Sequence, residues 1–282
     1  MTDPAPSVVS TAWLAERLDT PDLAILDGSF FLPAQGRDAA AEYRQAHLPG
    51  ARFFDIDAVA DADSNLPHML PPAEGFADAV AAMGIANDTQ VVVYDSNYYM
   101  ASARVWWMFR VFDHDRVSVL DGGIERWRAE GRPLTAATSP PQQVRFLAGF
   151  RPELLCTLAE MADLAQSGAA LILDARSAGR FRGTEPEPRS GVRGGHIPGS
   201  LNLPHRQLVD EHSGLFRSDT ELARIFREAG VDPAATVVTT CGTGVTAAIL
   251  ALGLYRLGNH RVAVYDGSWT EWGGRRDTPV TT

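Results

Sequence analysis

Four landmarks occur twice along the chain, in one order and at a nearly constant spacing of about 147 residues, and nothing else in the sequence limits the fold as tightly. LAILDGS, with Asp27, returns as LILDARS, with Asp174, and AHLPGA, with His47, returns as GHIPGS, with His196. VVVYDSNYYM, with Asp95, aligns with VVTTCGTGVT, with Cys241. VSVLDGGIERW, with Asp121 and Trp127, aligns with VAVYDGSWTEW, with Asp266 and Trp272. The 282 residues therefore read as a tandem of two similar domains, 1–140 and 153–282. Residues 135–152, TAATSPPQQVRFLAGFRP, carry paired prolines and no periodicity, the marks of a linker. Residues 1–7 read as a loose tail.

Each half alternates β-branched runs (91–94 and 117–120; 171–173, 237–240 and 262–265) with helical patterns such as 101–112 and 219–229. That alternation predicts an α/β fold in which each domain is a parallel sheet with helices on both faces. Open sheets of this kind bind ligands beyond the carboxyl ends of their strands. Cys241 follows directly on such a strand, in a turn that leads into the apolar run 247–254. The first backbone N–H groups of a helix have no internal partner and the helix dipole is positive there, so a thiolate is favoured and nucleophilic at this place. Gly242 and Gly244 let the backbone approach a ligand closely. Asp95 stands where the first half would need its own cysteine, so one active centre is expected, in the second half. Cys156, within the amphipathic pattern RPELLCTLAEMADL, reads as inert packing on a helix.

The net charge of −10 and the pI of about 5.1 argue against nucleic acid as a partner. All 25 basic residues are arginine, which excludes Schiff-base chemistry and a P-loop lysine. An anionic substrate must then be gripped by guanidinium groups, whose planar fork suits carboxylates. Two cysteines make neither a disulfide framework nor a metal-binding spacing, and no export signal or membrane-length apolar run is present, so a cytoplasmic protein without a membrane partner is expected.

YRQAHLPGARFF (43–54), GRFRGTEPEPR (179–189), GHIPGS (195–200), CGTGVT (241–246) and YDGSWTEW (265–272) together resemble the two-domain rhodanese family over nearly the whole chain. The resemblance implies a tandem of two rhodanese-like domains and a sulfurtransferase that needs no metal or organic cofactor. CGTGVT is closer to the loop of members that use 3-mercaptopyruvate than to the loop of thiosulfate-using members, which carries basic residues beside the cysteine; Gly242 and Thr243 are neutral. It further implies Arg180 and Arg189, with Arg182 between them, as clamps for the substrate carboxylate and ketone. Asp57, His68 and Thr243 match a relay in which Asp orients the imidazole and His moves a proton through the hydroxyl. His47 and His196 each precede a Pro-Gly turn and occur in both halves, which makes them structural.

On this reading Cys241 accepts sulfur from a small donor, holds it as a persulfide in an anion nest of consecutive N–H groups from Gly242 to Thr246, and passes it to a thiol such as thioredoxin or to cyanide. The nearest rival is a thiosulfate:cyanide sulfurtransferase. A cysteine phosphatase needs the pattern C-x5-R, which would put arginine directly after the loop at position 247, where this chain has alanine. A silent binding or regulatory module is the third reading, countered by the intact loop around Cys241, including Val245 and Thr246.

Overall fold

Runs such as QVVVY and LAILD carry apolar side chains on both faces of a strand and so must be covered on both sides. In the computed structural model, which describes residues 6–282, they form the middle of a five-stranded parallel sheet in each half. The first sheet contains β1 (Val8–Val9), β2 (Leu23–Asp27), β3 (Arg52–Phe53), β4 (Gln90–Tyr94) and β5 (Val117–Leu120), in the order β1-β5-β4-β2-β3. The second contains β6 (Leu155–Cys156), β7 (Leu171–Asp174), β8 (Leu201–Asn202), β9 (Val237–Thr240) and β10 (Ala263–Tyr265), in the order β6-β10-β9-β7-β8. The two orders are the same, as the repeat requires, and helices flank both faces. Asp27 pairs with Tyr94 and Asp174 with Thr240, so the two aspartates close equivalent strands. Strand order reverses direction between β2 and β4, and between β7 and β9. A crevice is expected beyond the carboxyl ends of each of these pairs.

The chain divides into two compact units. One gathers the residues up to Ala62 with Leu70–Arg151 and Glu211–Phe216; the other gathers Asp63–Met69, Pro152–Asp210 and Arg217–Thr282. The helices that follow β4 and β9, Ser102–Val111 and Ala247–Arg256, are almost entirely buried, consistent with helices that are apolar nearly all round. Arg104 and Arg110 are buried with them, their guanidinium groups 4.4 Å and 5.1 Å from the centroids of Trp107 and Trp106.

Each unit is closed by a matching strap. His47 bridges Thr135 and His196 bridges Thr281 through antiparallel backbone pairs. His47 Nδ1 lies 2.7 Å from Tyr43 O and His196 Nδ1 2.8 Å from Phe181 O, with each ring stacked on that same aromatic residue. Trp127 and Trp272 repeat the pattern, their Nε1–H groups donating to Pro133 O and Pro279 O.

Three stretches differ from the sequence expectation. Of the expected tail, residues 1–5 lie outside the described residues, whereas Pro6 and Ser7 are tied to β5 by bonds from Ser118 Oγ (2.6 Å) and Val119 N (2.8 Å). The segment 135–152 lies along the first unit: Phe146 is buried against Phe76 and His114, and Arg151 grips Asp115 through two bonds of 2.8 Å. Cys156 sits not on a helix but on β6, opposite Tyr265. The helix starts at Leu158 because Thr157 and Glu160 form a capping box, which fixes the boundary one residue beyond the cysteine.

Burial, with Glu160 nearby, pushes the Cys156 thiol from 9.0 up to about 12. The folded state thus keeps this proton where the unfolded chain loses it, so its contribution to stability is intact below about pH 9 and disappears between pH 9 and about 12. Denaturant unfolding across that window should show a shallower alkaline loss for Cys156→Ala than for the unaltered protein; parallel curves would contradict the assignment.

Candidate active site

β9 ends at Thr240 and the chain turns through residues 241–246 before the helix Ala247–Arg256 begins. The turn is possible because Gly244 takes a φ of +74°, a left-handed conformation that glycine adopts without strain. Cys241 is buried at its start. The loop is fixed from the turn after β10. Ser268 Oγ accepts from Cys241 N at 3.1 Å and Gly244 N at 3.0 Å, and donates to Tyr265 O at 2.7 Å, which uses its one donor and two lone pairs. Trp269 N donates to Cys241 O at 3.0 Å, and both Thr270 N and Thr270 Oγ1 donate to Gly242 O.

With the carbonyls so occupied, the amides of Gly242, Thr243, Val245 and Thr246 have no acceptor among the described residues. They are the unpaired donors expected where a loop enters a helix, and they favour an anion. The expected unbroken nest from Gly242 to Thr246 is corrected at one place: the Gly244 amide is engaged by Ser268.

A guanidinium lies against the same loop. Arg180 stands on the short helix Ala178–Phe181 after β7, and its Nη2 is only 3.1 Å from where a Cβ on Gly242 would be. Glu187 holds it there, accepting from Arg180 Nη2 at 2.6 Å. The Glu187 side chain is 4% exposed and also receives Arg176 Nη1 at 2.9 Å. Arg176 is itself wholly enclosed: it donates to Asp174 and to Gly195 O, and its guanidinium stacks 4.4 Å over Trp269. A buried carboxylate shared by two arginines fixes the orientation of the guanidinium that reaches the loop.

The equivalent turn in the first unit is filled. Asp95 Oδ1 accepts from Asn97 N at 3.2 Å and Tyr99 N at 3.1 Å, and Oδ2 accepts from Ala101 N, Ser102 N and Ser102 Oγ at 3.3, 3.0 and 2.7 Å. Where the second unit leaves amides open beside a cysteine, the first satisfies them with its own carboxylate.

The structure thus brings Cys241, Gly242, Gly244 and Arg180 together. Thr243 is buried in the same loop. His68 is buried in the segment Asp63–Met69 of the second unit, with φ at +60°. Asp57 is exposed in the first unit, its N–H donating to Asp55 Oδ1. Arg182 is exposed, and half-buried Arg189 has no carboxylate partner among the described residues. Ser268, Glu187 and Arg176 were not singled out in the sequence. Ser268 left one signal there: it occupies the position of Gly123 in the repeat, and both residues have positive φ, +50° and +55°.

A rhodanese-like domain model matches residues 10–130 and again 157–275. Human 3-mercaptopyruvate sulfurtransferase is 44% identical over 272 residues, spanning 94% of this chain and 91% of that protein. The mitochondrial thiosulfate/3-mercaptopyruvate sulfurtransferase 1 of Arabidopsis thaliana is 43% identical over 294 residues, spanning 97% of this chain and 77% of the relative. Among solved structures, a 3-mercaptopyruvate sulfotransferase from Escherichia coli superposes with a TM-score of 0.85 at 38% identity, covering 94% of this chain and 99% of the other.

Ser268→Ala strips two buried amides of their acceptor and should lower stability by about 2 kcal/mol or more in urea unfolding. A loss below about 0.5 kcal/mol would show that other groups hold the loop.

Proposed function

The chain belongs to the rhodanese family and is a sulfurtransferase, and from that premise we propose that it takes sulfur from 3-mercaptopyruvate onto Cys241 as a persulfide and hands it to a thiol acceptor. One observation carries the reading: the loop that starts at Cys241 leaves four amides open, whereas its counterpart is filled by Asp95. The Cys241 thiolate attacks the donor sulfur, an S–S bond forms, and the C–S bond breaks with its electron pair passing to carbon. The resulting pyruvate enolate takes a proton, and the enzyme holds Cys–S–SH. An acceptor thiolate, such as that of thioredoxin, or cyanide then removes the outer sulfur and restores the cysteine. The scheme has two covalent half-reactions, so ping-pong kinetics follow.

The open amides stabilise sulfur as thiolate and as persulfide. Arg180, oriented by Glu187, and Arg189, with no carboxylate of its own to hold among the described residues, grip the carboxylate and ketone oxygen and stabilise enolate charge; Arg182, exposed, is an accessory. Asp57, His68 and Thr243 serve as the proton relay, His68 moving the proton through the Thr243 hydroxyl. Within the loop Gly242 and Thr243 are neutral, and the guanidinium against it, Arg180, is already paired with Glu187; this suits a donor whose charge lies away from its sulfur and favours 3-mercaptopyruvate over thiosulfate. Both cysteines are free thiols, in keeping with a cytoplasmic setting. No helix among the described residues is long and apolar enough to cross a membrane.

After incubation with 3-mercaptopyruvate, mass spectrometry should find one added sulfur atom on Cys241, and Cys241→Ser should abolish turnover. Activity that survives this substitution without an adduct would reject the scheme. Side-by-side kinetics should give the higher kcat/KM with 3-mercaptopyruvate, and a preference for thiosulfate would select the rival donor. Arg189→Ala should lower kcat/KM for 3-mercaptopyruvate by about a hundredfold or more, the loss of a charge-assisted clamp, and an unchanged value would remove Arg189 from the site.

A further inference from the structure

The crevice of the first unit, beyond β2 and β4, holds a cavity of about 300 Å³, at the small end of the roughly 300–1,000 Å³ range of small-molecule sites. Its walls are the repeat-mates of the groups that enclose Arg176 in the second unit. There the guanidinium touches Glu187 and, besides it, Asp174, Gly195 O and the Trp269 ring, and it is the last three whose counterparts matter here. At the matching places the first unit has Asp27, Ala46 and Ile124, all of which line the cavity. Position 176 itself corresponds to Ser29. The local backbone is the same: Ser29 N donates to Asp27 Oδ1 at 2.9 Å, as Arg176 N donates to Asp174 Oδ1 at 2.9 Å. What differs is the side chain, because serine leaves vacant the space that arginine fills.

The charges around the cavity sharpen the comparison. Glu42 is paired with Arg37 at 2.5 Å and Glu125 with Arg128 at 2.8 Å. Asp27 is nearly fully buried and has no cationic partner among the described residues, whereas Asp174 has Arg176. Burial holds the Asp27 carboxyl above the ordinary carboxylate range, against hydrogen bonds from Ser29 and Tyr94 that pull the other way. A cation entering the cavity would restore the charge balance that the second unit has built in.

We propose that this cavity binds a small molecule bearing a guanidinium group, held by Asp27 where the second unit holds the side chain of its own Arg176. Asp27 accepts two N–H groups of the planar fork, Ile124 covers one face, and the Ala46 carbonyl corresponds to that of Gly195. The remainder of the ligand extends past Arg37 and Arg128, both of which line the same cavity. This site lies outside the Cys241 loop and its occupancy does not depend on sulfur transfer.

Isothermal titration of the full chain with methylguanidine and with L-arginine should show saturable one-to-one binding, and L-citrulline, the uncharged isostere, should bind roughly tenfold more weakly or not at all. Ser29→Arg supplies the missing group from the chain itself and should abolish binding. Asp27→Asn should weaken it by about tenfold or more. Sulfurtransferase activity retained in either variant certifies its fold, and if one fails to fold the other still decides. Absence of binding in the unaltered protein overturns the proposal. So does affinity unchanged in a folded Ser29→Arg or Asp27→Asn protein. Capture of an arginine-containing peptide without binding of methylguanidine or free arginine would also overturn it, by assigning the cavity to a protein partner.

Discussion

A strand that ends inside a sheet and turns at once into a buried helix presents a set of backbone donors with nothing to receive them. Every other feature of the site follows from how those donors are answered. In the first unit a carboxylate answers four of them at once, together with the hydroxyl of Ser102, and Ser29 Oγ takes the Ser96 amide. In the second unit the residue at that position is a cysteine, whose sulfur has no carboxylate's pair of oxygens to offer several amides at once. Ser268 takes the Cys241 and Gly244 amides, and those of Gly242, Thr243, Val245 and Thr246 have no acceptor among the described residues.

The second layer behind the loop is electrostatic. Asp174, Arg176, Glu187 and Arg180 form a chain of alternating charge that runs from the end of β7 to the backbone at Gly242. Its inner members are wholly buried, and each has its hydrogen bonds met, the condition under which buried charge is tolerated. The outer guanidinium is thereby presented in a fixed direction at low conformational cost, which is what a clamp for a small anion requires.

The repeat was legible because periodic strands, Pro-Gly turns and Trp positions are local patterns that both halves keep. The Cys241 loop was legible for the same reason, since a strand, a glycine-rich turn and an apolar helix succeed one another within 20 residues or so. What the sequence did not reveal depends on contacts between distant segments. Ser268 meets Cys241 only because β9 and β10 are neighbours in the sheet. Glu187 lies in the mixed-charge run 179–189, where composition gives no sign of burial, yet it is enclosed by two arginines, a fact set by the path of the loop. Two-residue strands such as β6 are too short to show a period, so Cys156 was read into the helix that a capping box begins just after it.

Ser268 and Gly123 occupy matched positions, yet at Gly123 a Cβ would lie 2.1 Å from the Asp95 carbonyl oxygen, so the first unit has no room for the serine that the second depends on. A thiol placed at 95 would lose the acceptor that holds its turn, and a serine placed at 123 would collide before any thiol arrived. The collision is with main chain, so it persists whichever residue stands at 95. The two repeats thus reach one strand-to-helix geometry with acceptors that exclude each other, and no single substitution converts one turn into the other.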